Sequence, residues 1–152
     1  MKKESKYFLI GILLFLFEIT VLFKLFSVYG IYPSLIKVFL TIVALEFPLK
    51  KSLKFAFFFG LFEDLYMAEL FVYNVIVNLI IVYVVNEIKN HIDFGIYFYG
   101  ISLIAFISII DLLAKSILIF AKTDIFYISA NFLFYVLLNT ILYIPLKVLL
   151  GR

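Results

Sequence analysis

Long apolar runs, each closed by a small group of polar or turn-forming residues, organise this chain. The first extends from about Tyr7 to Phe26 and ends at Ser27-Val28-Tyr29-Gly30. The second opens at Pro33, a residue suited to the first turn of a helix, and stops at about Phe47, ahead of Pro48 and Lys50-Lys51. A third begins near Leu53 and meets Glu63-Asp64 after about ten residues, or roughly 15 Å of helix. That is half of a hydrocarbon core of about 30 Å, so the helix is expected to continue to about Met67. Asp64 would then lie in the outer half of the membrane or at a helix break there. Further runs cover about 70–85, 96–120 and 125–150, and Pro145 is expected to kink the last.

Stretches such as Phe8 to Phe17 and Ile101 to Ile110 suit lipid and are costly against water. Composition agrees: 66% of the residues are hydrophobic and 15% are charged, against roughly 25% charged in globular domains. The pattern predicts an all-α integral membrane protein, a compact bundle of about six transmembrane helices. The connections are too short for a soluble domain, and no internal repeat is evident.

Charge orients the bundle. With the N-terminus inside, the inner segments carry Lys2, Lys3, Lys6, Lys50, Lys51, Lys54, Lys89, Lys147 and Arg152. The outer segments carry Lys24, Lys37 and Lys122 near helix ends, while Lys115 falls within the fifth run. This asymmetry follows the positive-inside rule and places both termini in the cytoplasm. The second and third runs are short enough that a re-entrant pair is an alternative to two full spans. The start, Met1-Lys2-Lys3 before an apolar run, has the look of a signal peptide. Its length, Glu18 within it and the lack of a small-x-small site favour an uncleaved first span.

Composition also excludes chemistry. There is no Cys, so disulfides, thiolate metal sites and Cys nucleophiles are ruled out, and a single His, His91, cannot build a histidine metal cluster. No Gly-x-Ser-x-Gly, HExxH or glycine-rich phosphate loop is present. An intramembrane aspartyl mechanism would have Asp64 and Asp111 as its one distant pair. We therefore expect no enzyme activity, no cofactor and no bound metal. The net charge of +3 comes from lysines at segment ends and does not indicate nucleic-acid binding.

Charges inside apolar runs need partners, because each costs roughly 2.5–3.5 kcal/mol at a helix centre on insertion scales. Asp111 and Lys115 stand four residues apart and can pair on one helix face, with Ser108 beside them and Ala105 at the border. Asp111 lies about 14 Å below the outer end of its run, and Glu18 lies at a similar depth. A cluster of Glu18, Ser108, Asp111 and Lys115 is thus expected, either as a lock between helices or as a proton or ion site. Asn74 and Asn78, also four apart, are expected to hydrogen-bond across helices. Glu46 is expected to reach Lys50 or Lys51, and His91 to be solvated in a polar loop from Asn86 to Asp93.

From Pro33 to about Val85 the chain resembles the rod shape-determining protein MreD family. The residues that carry the resemblance are Pro33 opening an apolar helix, the basic Lys50-Lys51 connection, Gly60-Leu61-Phe62-Glu63-Asp64-Leu65, and Asn74 opening the next helix. Ser34 stands where family members often have Asp, and Met67-Ala68-Glu69-Leu70-Phe71 replaces a usually glycine-rich turn. The resemblance implies a non-catalytic scaffold of the bacterial cell-elongation machinery in the cytoplasmic (inner) membrane. Such a scaffold binds MreC, and through it connects MreB filaments with RodA and its class B penicillin-binding partner. Pro33, Gly60, Asp64, Asn74 and Asn78 would support partner binding or the fold. The alternative is a substrate-binding membrane subunit of an energy-coupling-factor vitamin transporter. The short outer segments (27–32, 69–71 and 121–124) offer few hydrogen-bonding groups for a vitamin.

Overall fold

The computed structural model describes residues 3–22, 34–66, 72–91, 98–123 and 132–151. All secondary structure among them is helical: α1 (Lys3–Phe17) continued by a π-helical turn (Glu18–Leu22), α2 (Leu35–Glu46), α3 (Leu49–Tyr66), α4 (Tyr73–His91), α5 (Phe98–Thr123) and α6 (Phe132–Gly151). The six elements correspond to the six apolar runs, with shifted ends. Helix α2 starts at Leu35 behind an N-cap at Ser34, whose Oγ accepts from the Lys37 amide. Helix α3 begins before Lys50-Lys51 and carries both on its first turn. Helix α4 runs on to His91, so the expected Asn86–Asp93 loop is in large part the helix's last turns. His91 is exposed there, with Nδ1 2.8 Å from the Glu87 carbonyl oxygen. Pro145 lies inside α6, where it removes one backbone donor. Pro33 and the outer segments 27–32 and 69–71 lie outside the described residues, and the first three residues of 121–124 are the end of α5.

By length and composition, two of these helices, α5 and α6, are long and apolar enough to cross a membrane. Helix α3 has the length, but Lys50, Lys51, Lys54, Glu63 and Asp64 interrupt its hydropathy. Helix α2 has only 12 residues, about 18 Å. Every residue of α2 from Leu35 to Ala44 is buried, so it is wrapped by neighbours all round. Helices α1, α3, α4, α5 and α6 all touch it, and α3 and α4 form the most extensive helix pair.

Rings pack the space between α1, α2 and α3. Phe39 sits edge-on to Phe59 at 5.5 Å, Phe59 stacks over Phe55, and Phe8 meets Phe58 at 5.1 Å. Gly11 gives the Phe59 and Phe39 rings the room that a side chain on α1 would fill.

Polarity is distributed inside out. Ser52, Glu63 and Asp64 of α3 are buried, while Phe57, Phe58, Leu61 and Leu65 are exposed. Helix α4 buries Asn74, Asn78 and Asn86 and exposes Ile76, Ile80 and Tyr83. On α6, Leu133, Leu137, Ile141, Ile144 and Val148 form an outward apolar stripe, opposite buried Tyr135, Asn139 and Tyr143. A water-facing surface shows the opposite preference, with its polar side chains outermost.

Candidate functional site

Five helix ends meet at one pole of the bundle. Glu46, at the end of α2, pairs with Lys3 of α1 at 3.0 Å and with Lys147 of α6. Lys51 of α3 pairs with Glu4 of α1, and Lys89 of α4 donates to the Ala44 and Phe47 carbonyls at 3.5 and 3.4 Å. Tyr7 donates to the Leu150 carbonyl at 3.3 Å, tying α1 to α6. Glu46 therefore takes partners far away in the chain, and the expected contact with Lys50 or Lys51 is corrected. Helix α2 points its C-terminus into a ring formed by the ends of α1 and α6, whereas Lys51 lies closer to α1 and is held by Glu4.

The second polar region is buried. Lys37, expected near an outer helix end, lies instead at its centre and is almost fully buried. Its Nζ is 3.3 Å from Asp111 Oδ1 on α5 and 3.8 Å from Glu63 Oε1 on α3. The reason is the position of α2: its first turn begins inside the bundle rather than at the bundle's end. Asp111 also receives Lys115 at 2.8 Å and the Tyr135 hydroxyl at 2.7 Å, both at Oδ2, so the predicted α5 pair is present. Tyr73 donates to the Asp111 backbone carbonyl at 3.4 Å. Lys115 Nζ lies 5.5 Å from the Tyr135 ring centre, within cation–π range. Glu63 accepts from Asn78 Nδ2 at 2.6 Å.

Two further carboxylates sit on helix N-termini. Glu18, at the start of the π-helical turn, accepts the Ile36 amide of α2 at 3.0 Å. Asp64 accepts two amides of α4, Asn74 N–H at 2.8 Å and Val75 N–H at 3.1 Å. The first amides of a helix have no intrahelical partner and carry the positive end of its dipole, so each carboxylate meets donors and favourable charge together. The four acids buried among the described residues thus divide evenly. Asp111 and Glu63 face Lys37 and Lys115, while Glu18 and Asp64 face helix ends.

Gly60 completes the α3–α4 joint. It lies one turn before Asp64, and a Cβ built there would come within 2.6 Å of the Val75 Cα and 3.1 Å of the Asn74 carbonyl oxygen. Glycine lets the two backbones close, and Asp64 then reaches the α4 amides. The Gly-Leu-x-x-Asp-Leu segment is therefore a helix–helix joint with its own cap.

The predicted residues are brought together in three groups. Gly60, Asp64 and Asn74 form the joint, and Asn78 reaches the lysine layer through Glu63. Ser108 accepts from Asn139 Nδ2 at 3.0 Å, and Asn139 Oδ1 accepts the Ser34 amide at 3.0 Å, closing the start of α2 from the other side. Glu18 lies at this same helix start rather than in direct contact with Asp111. Sequence reasoning missed Lys37, Glu63, Tyr135 and Asn139. For the last two the signal was present: Tyr135, Asn139 and Tyr143 recur every four residues in a largely apolar helix.

The buried acids are already engaged by lysines, amides or helix ends, and no metal-holding group of three or more acids or His occurs among the described residues. An open groove of about 480 Å³ between α1 and α3, lined by Glu4, Ser5, Phe8, Leu9 and Phe55, lies at the opposite end of α1 from Glu18. What the arrangement does is fasten helices to one another at two levels. Comparison with protein-family models, with curated proteins and with solved structures finds no match to this chain.

Proposed function

We propose that the chain is a multi-pass protein of the bacterial cytoplasmic membrane, with both termini inside, acting as a non-catalytic scaffold of the cell-elongation machinery. The carrying observation is the joint of Gly60, Asp64 and the α4 N-terminus, in which the residues of the MreD-like motif serve helix packing and capping. The inside-out polarity supports a lipid surround, where exposed Leu, Ile and Phe cost nothing and polar groups belong inside. The pole bearing Lys3, Lys51, Lys89 and Lys147 is the cytoplasmic one under the positive-inside rule. A bundle of membrane helices acts by offering helix faces to other helices, and an MreC-like single-span protein is the partner the resemblance implies. RodA, its class B penicillin-binding partner and MreB would then follow through the assembly.

Affinity purification of the tagged chain from its native membrane in mild detergent, with mass spectrometry of what is retained, tests this reading. The expected result is a single-span protein with a periplasmic domain, with or without wall synthases. Recovery of ATPase subunits with a coupling membrane protein would replace the scaffold with a transport subunit.

A further inference from the structure

The open groove between α1 and α3 is the feature the scaffold reading leaves unused. The two helices run parallel, as the contacts Glu4–Lys51, Phe8–Phe58 and Phe15–Phe62 show. The groove starts at the basic pole, at Glu4 and Ser5, and descends one turn to a floor of Phe8, Leu9 and Phe55. Its volume of about 480 Å³ lies in the range of ligand sites, roughly 300–1,000 Å³.

Both walls of the groove face away from the core. On α1, Ser5, Leu9 and Leu16 share one helix face, and all three are exposed. On α3, Lys54 stands three residues after Lys51 and four before Phe58, the residues that touch Glu4 and Phe8. Lys54 is exposed, as are Phe58 and Leu61 further along that face, so it lies on the outer side of the seam. Helical side chains lean toward the N-terminus, which for α3 is the basic pole. Lys54, and Lys50 one turn earlier, therefore present their charge at the top of the groove.

Charge then selects the occupant. Glu4 and Lys51 neutralise each other. Among the described residues no acid lies in ion-pair range of Lys50 or Lys54, and Ser5 adds a hydroxyl donor at the rim. A fitting ligand is anionic at the top and apolar below. Resting on the membrane reading, which puts the top of the groove at headgroup level, we infer that it holds an anionic phospholipid. The phosphate sits at Lys54, Lys50 and Ser5, and an acyl chain follows Phe8, Leu9 and Phe58. A zwitterionic headgroup brings its own ammonium toward those lysines and gains less from them.

The chain has no Trp, so a single introduced Trp reports its lipid neighbours through quenching by brominated acyl chains. Leu16→Trp places it on the groove face, and Leu137→Trp on the exposed side of α6. Lys3 and Lys147 share Glu46, so the two positions lie within about 5 Å of one depth. The full chain is reconstituted in phosphatidylcholine vesicles with a minor fraction of brominated phosphatidylglycerol or brominated phosphatidylcholine. Phosphatidylglycerol should quench more strongly than phosphatidylcholine at position 16, with no preference at 137. Lys54→Gln should lower the preference about fivefold, or about 1 kcal/mol for one lysine near anionic headgroups, and Lys54→Arg should retain it. Lys50→Gln should lower it less. Lys6→Gln removes the same charge about 160° around α1 from Phe8 and should leave the preference unchanged. Equal quenching by the two lipids at position 16 would overturn the inference and leave the scaffold reading standing. So would a preference that survives Lys54→Gln, or one that falls as far in Lys6→Gln, which would belong to the whole pole. Quenching by neither lipid at either position would overturn the membrane reading itself.

Discussion

The basic pole and the buried lysine layer use the same side chains for opposite ends. At the pole, Glu46 has two lysine partners, and Lys3 is more than half exposed, so water stands ready to replace any contact that is lost. In the layer, Lys37 and Asp111 are almost wholly enclosed, and each depends on a few named partners. Exposed ion pairs contribute little because both ions are nearly as well served by solvent. Enclosed ions gain little from pairing relative to an apolar core, yet losing one partner strands the other. The pole aligns helix ends, whereas the layer dictates which helices are neighbours.

The sharpest way to break the contrast is Asp111→Ala. It leaves Lys37 and Lys115 facing each other across a vacated acid and should cost about 3–5 kcal/mol, read as loss of folded protein in detergent melts. Gly60→Ala comes next, because the added methyl meets the α4 backbone rather than a movable side chain; about 1–3 kcal/mol of destabilisation is expected. Asp64→Ala removes the α4 cap and should cost about 0.5–2 kcal/mol in the same melts while weakening partner capture. Normal assembly and cell shape in that variant would count against the scaffold. Smallest of all is Glu46→Gln at the pole, at most about 1 kcal/mol, and its effect should fade at 1 M salt, where charges are screened within about 3 Å. A Glu46→Gln penalty as large as that of Asp111→Ala would erase the distinction between the two regions.

Much of this was readable from the chain. The apolar runs marked six helices, and the four-residue spacing of Asp111 and Lys115 predicted their pair. Lys37 was misplaced because hydropathy locates the start of a helix along the chain but not its depth in the bundle. Lys37 is indeed in the first turn of α2, but that turn begins inside the protein. Glu63 was read as the end of an apolar run, since only the fold shows that α2 brings a lysine toward it. Asp64 stands out in the sequence as a charge at the end of an apolar run, but its partners are backbone amides, which no side-chain pattern reveals. For Glu46, any nearby lysine was a plausible partner, and the choice of Lys3 and Lys147 required knowing which helix ends meet.

The enclosed position of α2 has a consequence in time. The amides at its start, those of Ser34 and Ile36, are completed by Asn139, made about a hundred residues after it, and by Glu18, made before it. With only 12 residues and a lysine in its first turn, it is a poor substrate for insertion by itself. On the membrane reading, α2 therefore reaches its final place only when α6 has left the ribosome. Until then the nascent chain holds an unfinished centre, open to quality-control proteases, and truncations within α6 should be cleared from the cell rather than persist as partial bundles.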